Sequence, residues 1–129
     1  DTVLALPYAP FGKLFAHARC VVHQGGVGTC AQALAAGVPA LVVPYSHDQP
    51  DNALRLKRQG AVLVLARKDY RAERVLPLLR QLLTPRYAQQ AQQAAQQMAR
   101  EPGALGAVEA IERFLLRWNR VTQISRGGD

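Results

Sequence analysis

Val21-Val22-His23-Gln24-Gly25-Gly26-Val27-Gly28-Thr29 joins a brief apolar run to a small-residue segment, 30–36, which ends at Gly37 with Pro39 just beyond. The pattern predicts a strand, a tight turn and a helix closed by a C′ glycine. In a parallel α/β sheet, ligands bind at the carboxyl ends of the strands. Glycines in such a turn let the backbone approach a ligand closely and adopt positive φ. The helix start behind them offers free N–H groups and a partial positive charge. Together these make a phosphate site. Thr29 can add a hydroxyl donor and His23 a ring nitrogen. No Gly-Lys-Ser/Thr follows, so the turn is not a Walker A loop. The glycine pattern is GGxG, with no acidic strand end at the expected distance, so it is not a dinucleotide fingerprint. A purely structural turn is the alternative.

Outward from this turn, strand and helix alternate. Residues 40–44 (ALVVP) and 61–66 are short, apolar and β-branched without alternation, the pattern of buried strands. Between them, residues 45–50 form a polar loop. Asp51 is a candidate N-cap for a helix over 52–59, closed by Gly60. Residues 71–83 carry Val75, Leu78, Leu79, Leu82 and Leu83 at helical spacing. Thr84-Pro85 reads as N-cap and N1 of a helix running to residue 100. Glu101-Pro102-Gly103 breaks it before a last amphipathic helix over 104–118. Toward the N-terminus, residues 3–6 predict a short strand, Pro7 and Pro10 frame a turn around Tyr8, and residues 14–18 a short helix. The glutamine-rich stretch 89–97 fits an ordinary solvated helix. The expected fold class is α/β, a βαβαβ parallel sheet with helices on both faces, followed by a helical section.

The loop His47-Asp48-Gln49-Pro50-Asp51-Asn52 follows the second strand and should face the same crevice as the glycine turn. Asp48 and Gln49 put acceptors and donors side by side, which a polyol needs because each hydroxyl both gives and accepts. Tyr8 is placed to stack on a planar ring.

Composition bounds the function. The 129 residues predict one domain, with 49% hydrophobic and 19% charged residues arguing against disorder. The net charge of +7 suits an anionic partner. Aromatics are only 6%, and no RRM, KH or zinc pattern is present, so no nucleic-acid partner is expected. Cys20 and Cys30 read as reduced core thiols rather than a disulfide or metal pair. No metal site is expected, because there is no CxxC, HExxH or paired carboxylate motif. The apolar runs are too short to span a bilayer and no signal peptide opens the chain, so a cytoplasmic setting is expected. The first residue, Asp1, suggests a fragment or a processed chain.

Taken in order, aromatic-x-Pro, His-x-Gly-Gly-x-Gly-Thr, Gly-Val-Pro and Asp-Gln-Pro-x-Asn resemble the donor-binding half of the C-terminal domain in family 1 GT-B glycosyltransferases. The likeness is to bacterial and fungal members, the rhamnosyl-, sterol and macrolide glycosyltransferases, and covers residues 8–60 best. It implies a partial Rossmann-like sheet over residues 1–118 with a tail over 119–129. It also implies inverting, metal-independent transfer from a UDP- or dTDP-sugar to an acceptor hydroxyl, with no cofactor. By position, the resemblance assigns His23, Gly25, Gly26, Gly28 and Thr29 to the donor diphosphate. It assigns Tyr8, Phe11 and Gln32 to the nucleoside, and Asp48 and Gln49 to the donor sugar. Phe11 and Gln32 depart from the Gln and Glu of plant relatives, which leaves uridine and deoxythymidine both open. Such enzymes are roughly three times longer. The acceptor domain and its general base would lie outside this chain, so the chain alone is expected to be inactive. The missing sheet neighbours imply an open edge and self-association. An epimerase on the same plan, and a binding or scaffold module without chemistry, are the competing readings.

Overall fold

The structure is a computed structural model that describes residues 3–124, with side chains through residue 118. The chain divides into two compact units between Met98 and Ala99. The first unit opens with an extended segment, a single helical turn α1 (Phe11–Leu14) and a 3-10 turn (Phe15–His17). Then come β1 (Val21–His23), α2 (Val27–Ala35), β2 (Ala40–Val42), α3 (Gln49–Arg58) and β3 (Val62–Val64). A 3-10 turn (Arg67–Asp69), α4 (Ala72–Leu82) and α5 (Pro85–Ala99) complete the order up to the division. The second unit holds α6 (Gly103–Ile124), where Phe114 stacks on Trp118 one turn later.

The sheet is parallel in the order β1-β2-β3, with Val21, Ala40 and Val62 in register. The βαβαβ core is therefore as the sequence predicts. Its central strand is buried along its whole length because both faces are covered. Ala40 and Val42 pack with Cys30 and Ala33 of α2 and with Ala53 and Leu56 of α3. Leu41 and Val43 point to the opposite face, against Leu82, Tyr87, Val75, Leu78 and Leu79 of the later helices. The period-2 alternation of the strand thus assigns adjacent residues to two separate cores. Cys20 and Cys30 are both free thiols and lie in different cores, and burial pushes both thiols up in pKa.

Several expectations change. The short helix expected over 14–18 is instead α1 at Phe11–Leu14 followed by the 3-10 turn at Phe15–His17. Residues 3–6 form no strand: Val3 and Leu4 are exposed and, among the described residues, pair with no neighbour. Apolar propensity alone does not make a strand without a partner to take its backbone hydrogen bonds. The last helix runs on to Ile124, past the expected boundary at 118, and residues 125–129 lie outside the described residues. The glutamine-rich α5 is not simply solvated. Gly37 and Gly60, the left-handed residues that close α2 and α3, sit under Gln92 and Gln90. A Cβ at either glycine would stand 2.8 Å from a carboxamide nitrogen, and Gln92 Nε2 donates to the Gly37 carbonyl at 3.3 Å.

Leu41 is fully buried at the centre of the second core. Leu41→Ala is expected to cost about 2–5 kcal/mol, because the transfer and cavity terms add. A urea midpoint unchanged from wild type would contradict this placement.

Candidate functional site

Two loops meet at the carboxyl end of the sheet, and a third cluster lies beside α2. β1 ends at His23, the turn occupies 24–26, and α2 begins at Val27, earlier than the sequence predicts. Only Gly25 of the glycine turn has positive φ, at 93°. It is also the residue that must lack a side chain. A Cβ there would lie 2.9 Å from Val42 Cγ1 and 3.3 Å from the Gln49 carbonyl oxygen. Gly26 is the N-cap with extended backbone and supplies no side-chain cap. Gly28 lies in the first turn of the helix, and a Cβ there would meet nothing within 4 Å. Its surroundings are open, so a ligand can come close. The first bond of the helix runs from Cys30 N–H to the Gly26 carbonyl at 2.9 Å. The amides of Val27, Gly28 and half-buried Thr29 precede it and have no partner within the helix. No acidic residue of α2 lies in that turn, and the charge that reaches it comes from the neighbouring loop, where Asp48 acts on Cys30.

His23 braces this turn. Its Nδ1 accepts the Gly25 N–H at 3.1 Å. An accepting Nδ1 in a neutral ring leaves the proton on Nε2. That nitrogen is buried and has no partner among the described residues. Burial lowers the pKa of the ring below 6.5, so the neutral form prevails at pH 7. His23 therefore acts first on Gly25, and the donors at the open helix start are backbone amides.

The second loop, 43–48, leads from β2 into α3. The helix begins at Gln49 with Asp48 as N-cap, three residues before the predicted start at 52. Pro50 sits in the first turn, where it has no hydrogen bond to lose. Asp51 is not the cap; it pairs with Arg55 one turn on at 2.7 Å, and both side chains are well exposed. The Gln49 Oε1 accepts the amides of Tyr45 at 2.8 Å and Ser46 at 3.3 Å. Its carbonyl end is thus committed to the loop, and its NH2 is the end left for a ligand. Asp48 Oδ2 accepts from Asn52 Nδ2 at 2.7 Å, and the same nitrogen donates to the Gly25 carbonyl at 3.0 Å. Asn52 therefore joins the glycine turn to Asp48. The one sequence signal for this role is the i, i+4 spacing from Asp48 on one helix face.

The third cluster lies before β1. Tyr8, Phe11 and Gln32 line one open groove of about 640 Å³ together with Pro7, Pro10 and Lys13. The structure brings these three predicted residues together from an extended segment and the second turn of α2. Tyr8 is 80% exposed, so it has no packing role in this state. Phe11 is stacked on buried Phe15 with ring centroids 5.0 Å apart, which fixes its backbone at the groove wall. Lys13 adds a cation to the groove that the sequence analysis did not select.

Among the described residues, no three His, Cys, Asp or Glu side chains converge as metal ligands. No helix among them is long and apolar enough to cross a membrane.

The parallel α/β sheet with its glycine turn, open helix start and two flanking loops is that of a C-terminal GT-B glycosyltransferase domain, as the matches show. Residues 1–114 match the family model of the erythromycin biosynthesis protein CIII-like C-terminal domain, and the chain belongs to this family. The O-mycaminosyltylonolide 6-deoxyallosyltransferase of Streptomyces fradiae is 36% identical over 86% of this chain and 27% of its own length. The aclacinomycin-T 2-deoxy-L-fucose transferase of Streptomyces galilaeus is 34% identical over 93% of this chain and 28% of its own. Among solved structures, the glycosyltransferase VinC in complex with dTDP superposes with a TM-score of 0.79 at 31% identity. That match covers 91% of this chain and 30% of VinC. The chain therefore spans less than a third of the length of these relatives.

Two outcomes are expected. Between the lowered folded pKa of His23 and 6.5, the unfolded chain binds more protons than the folded one. Stability is then complete above 6.5 and is lost as pH falls toward the folded pKa. A His23→Gln variant should flatten that slope, and equal slopes in urea unfolding at pH 5 to 7.5 would contradict it. Asn52→Ala removes both bonds across the site and should cost about 1–3 kcal/mol, with the Gly25 carbonyl left unsatisfied. Amide exchange in residues 24–29 should rise in that variant, and unchanged exchange would rule out the link.

Proposed function

We propose that this chain is the donor-binding part of a glycosyltransferase that moves a sugar from a UDP- or dTDP-sugar to an acceptor hydroxyl. The observation that carries this reading is the order of the three clusters. A groove with an aromatic platform, an uncapped helix start and an Asp-Gln loop follow one another as nucleoside, diphosphate and sugar do in the donor. Family membership and the dTDP seen on VinC support it.

In this reading the base stacks on Tyr8, and Phe11 presents its backbone to the base edge. Gln32 gives and accepts hydrogen bonds at the ribose without adding charge. The diphosphate sits on the amides of Gly26, Val27, Gly28 and Thr29, with the Thr29 hydroxyl beside them. Gly25 shapes the turn and His23 holds it, its Nε2–H being a donor still without a protein partner. Asp48 accepts, and the Gln49 NH2 donates, to hydroxyls of the sugar. The leaving nucleoside diphosphate gains negative charge in the transition state. Fixed donors aimed at that charge lower the barrier, about 2.7–4 kcal/mol for a single well-placed donor. We assign this role to the start of α2 and propose that no metal ion or other cofactor is needed.

Family resemblance supports a single displacement with inversion, with deprotonation of the acceptor by a residue outside this chain. Neither remaining histidine offers a better base. His17 lies on an exposed 3-10 turn, and His47 Nδ1 shares a hydrogen bond with Ser46 Oγ at 2.8 Å. The same proposal places the reaction in the cytoplasm, with residues 1–118 as the donor module. It also includes self-association through an outer edge of the three-stranded sheet.

Calorimetric titration with UDP and dTDP tests the reading. Binding of at least one is expected, weakened in His23→Ala by about threefold to tenfold, the equivalent of the one neutral hydrogen bond by which the ring holds Gly25. A folded wild-type chain that binds neither would refute a preformed donor site.

A further inference from the structure

The loop that carries Asp48 is held from a side that the donor-site reading does not use. The Arg67 guanidinium carbon lies 4.2 Å from the centroid of the Tyr45 ring. Tyr45 sits just past β2 and Arg67 just past β3, so the contact ties two neighbouring strand ends across the rim of the sheet. Tyr45 also donates its amide to Gln49 Oε1 at 2.8 Å. The ring and the Gln49 carboxamide therefore belong to one hydrogen-bonded piece. Between them the backbone is constrained: His47 is the single non-glycine residue with positive φ among those described, at 57°, a conformation that its neighbours must enforce. Asp69, the acid next along the chain from Arg67, turns instead toward Arg71 at 3.8 Å. The Arg67 cation is left facing the ring.

We propose that Tyr45 and Arg67 are a positioning pair that orients the Asp48-Gln49 loop toward the sugar of the donor, an inference that rests on the donor-site reading above. Neither residue lines the groove of Tyr8, Phe11 and Gln32. The pair therefore governs how much the sugar adds to binding and leaves the nucleotide contribution alone. The stacking needs a ring and a cation, not the phenol hydroxyl. Tyr45→Phe keeps the ring, and Arg67→Lys keeps the charge without the planar face.

The test is titration of the folded chain with dTDP and with dTDP-glucose, wild type against Tyr45→Leu, Tyr45→Phe, Arg67→Met and Arg67→Lys. A cation over an exposed aromatic face predicts a loss of about three- to fivefold in dTDP-glucose affinity for Tyr45→Leu and Arg67→Met, with dTDP affinity unchanged. Tyr45→Phe should restore wild-type behaviour and Arg67→Lys should fall between. Equal losses for the two ligands would overturn the proposal, because Arg67 would then act on the phosphates. So would wild-type affinity for dTDP-glucose in both truncations. A wild-type chain that binds no dTDP overturns the donor-site reading and this pair with it, whereas intact dTDP binding with no selective loss of the sugar increment overturns the pair alone.

Discussion

At position 25 the chain passes so close to the central strand that a Cβ would stand 2.9 Å from Val42 Cγ1. Everything at the carboxyl end of the sheet is arranged around that approach. Because the turn lies flat on β2, its carbonyl comes within 3.0 Å of Asn52 on the following helix. Its amide comes within 3.1 Å of the His23 ring. The helix behind it then starts early, at Val27, with its first amides uncovered. A side chain at this position would lift the turn off the strand and separate all three.

The two clusters that flank the glycine turn have different mechanical support. The Tyr8 groove rests on the segment before β1 and on α2, and Tyr8 itself is held by little else. The Asp48-Gln49 loop rests on a dense set of short bonds from Gln49, Asn52 and the Tyr45–Arg67 contact. Precise hydroxyl recognition requires fixed donor and acceptor directions, whereas stacking on a base tolerates sliding. The distribution of bonds follows that difference. A net charge of +7 draws anions toward the protein at long range. In the proposed reaction the local work would fall to the backbone dipoles at the start of α2, which are fixed in place and need no rearrangement when charge develops.

The two buried strands after the glycine turn were legible because short β-branched runs without alternation demand cover on both faces, and both faces are covered. Residues 3–6 have a similar composition but no neighbour, so the same signal misled there. The order of motifs pointed to the right family. It did not show that Asp48 and not Asp51 would stand at the N-cap position of α3, where its carboxylate takes the Asn52 side chain and caps no backbone amide. Gln90 and Gln92 looked solvent-facing in a polar repeat. Their role depends on two left-handed glycines that are 30 and 55 residues distant in sequence.

The sequence by itself determined the α/β class, the βαβαβ order and the three stretches that carry the candidate site, because those follow from local periodicity, turn chemistry and chain order. The tertiary structure alone decided which atoms of those stretches face outward. His23 turns its Nδ1 to Gly25, Gln49 turns its carbonyl to Tyr45 and Ser46, and Asn52 bridges Gly25 and Asp48. Most of these bonds are local, two to four residues apart, but the one from Asn52 to Gly25 spans 27 residues of chain. A polar atom takes whichever partner the packed fold brings within hydrogen-bonding distance, and which of several local partners it takes is settled only there.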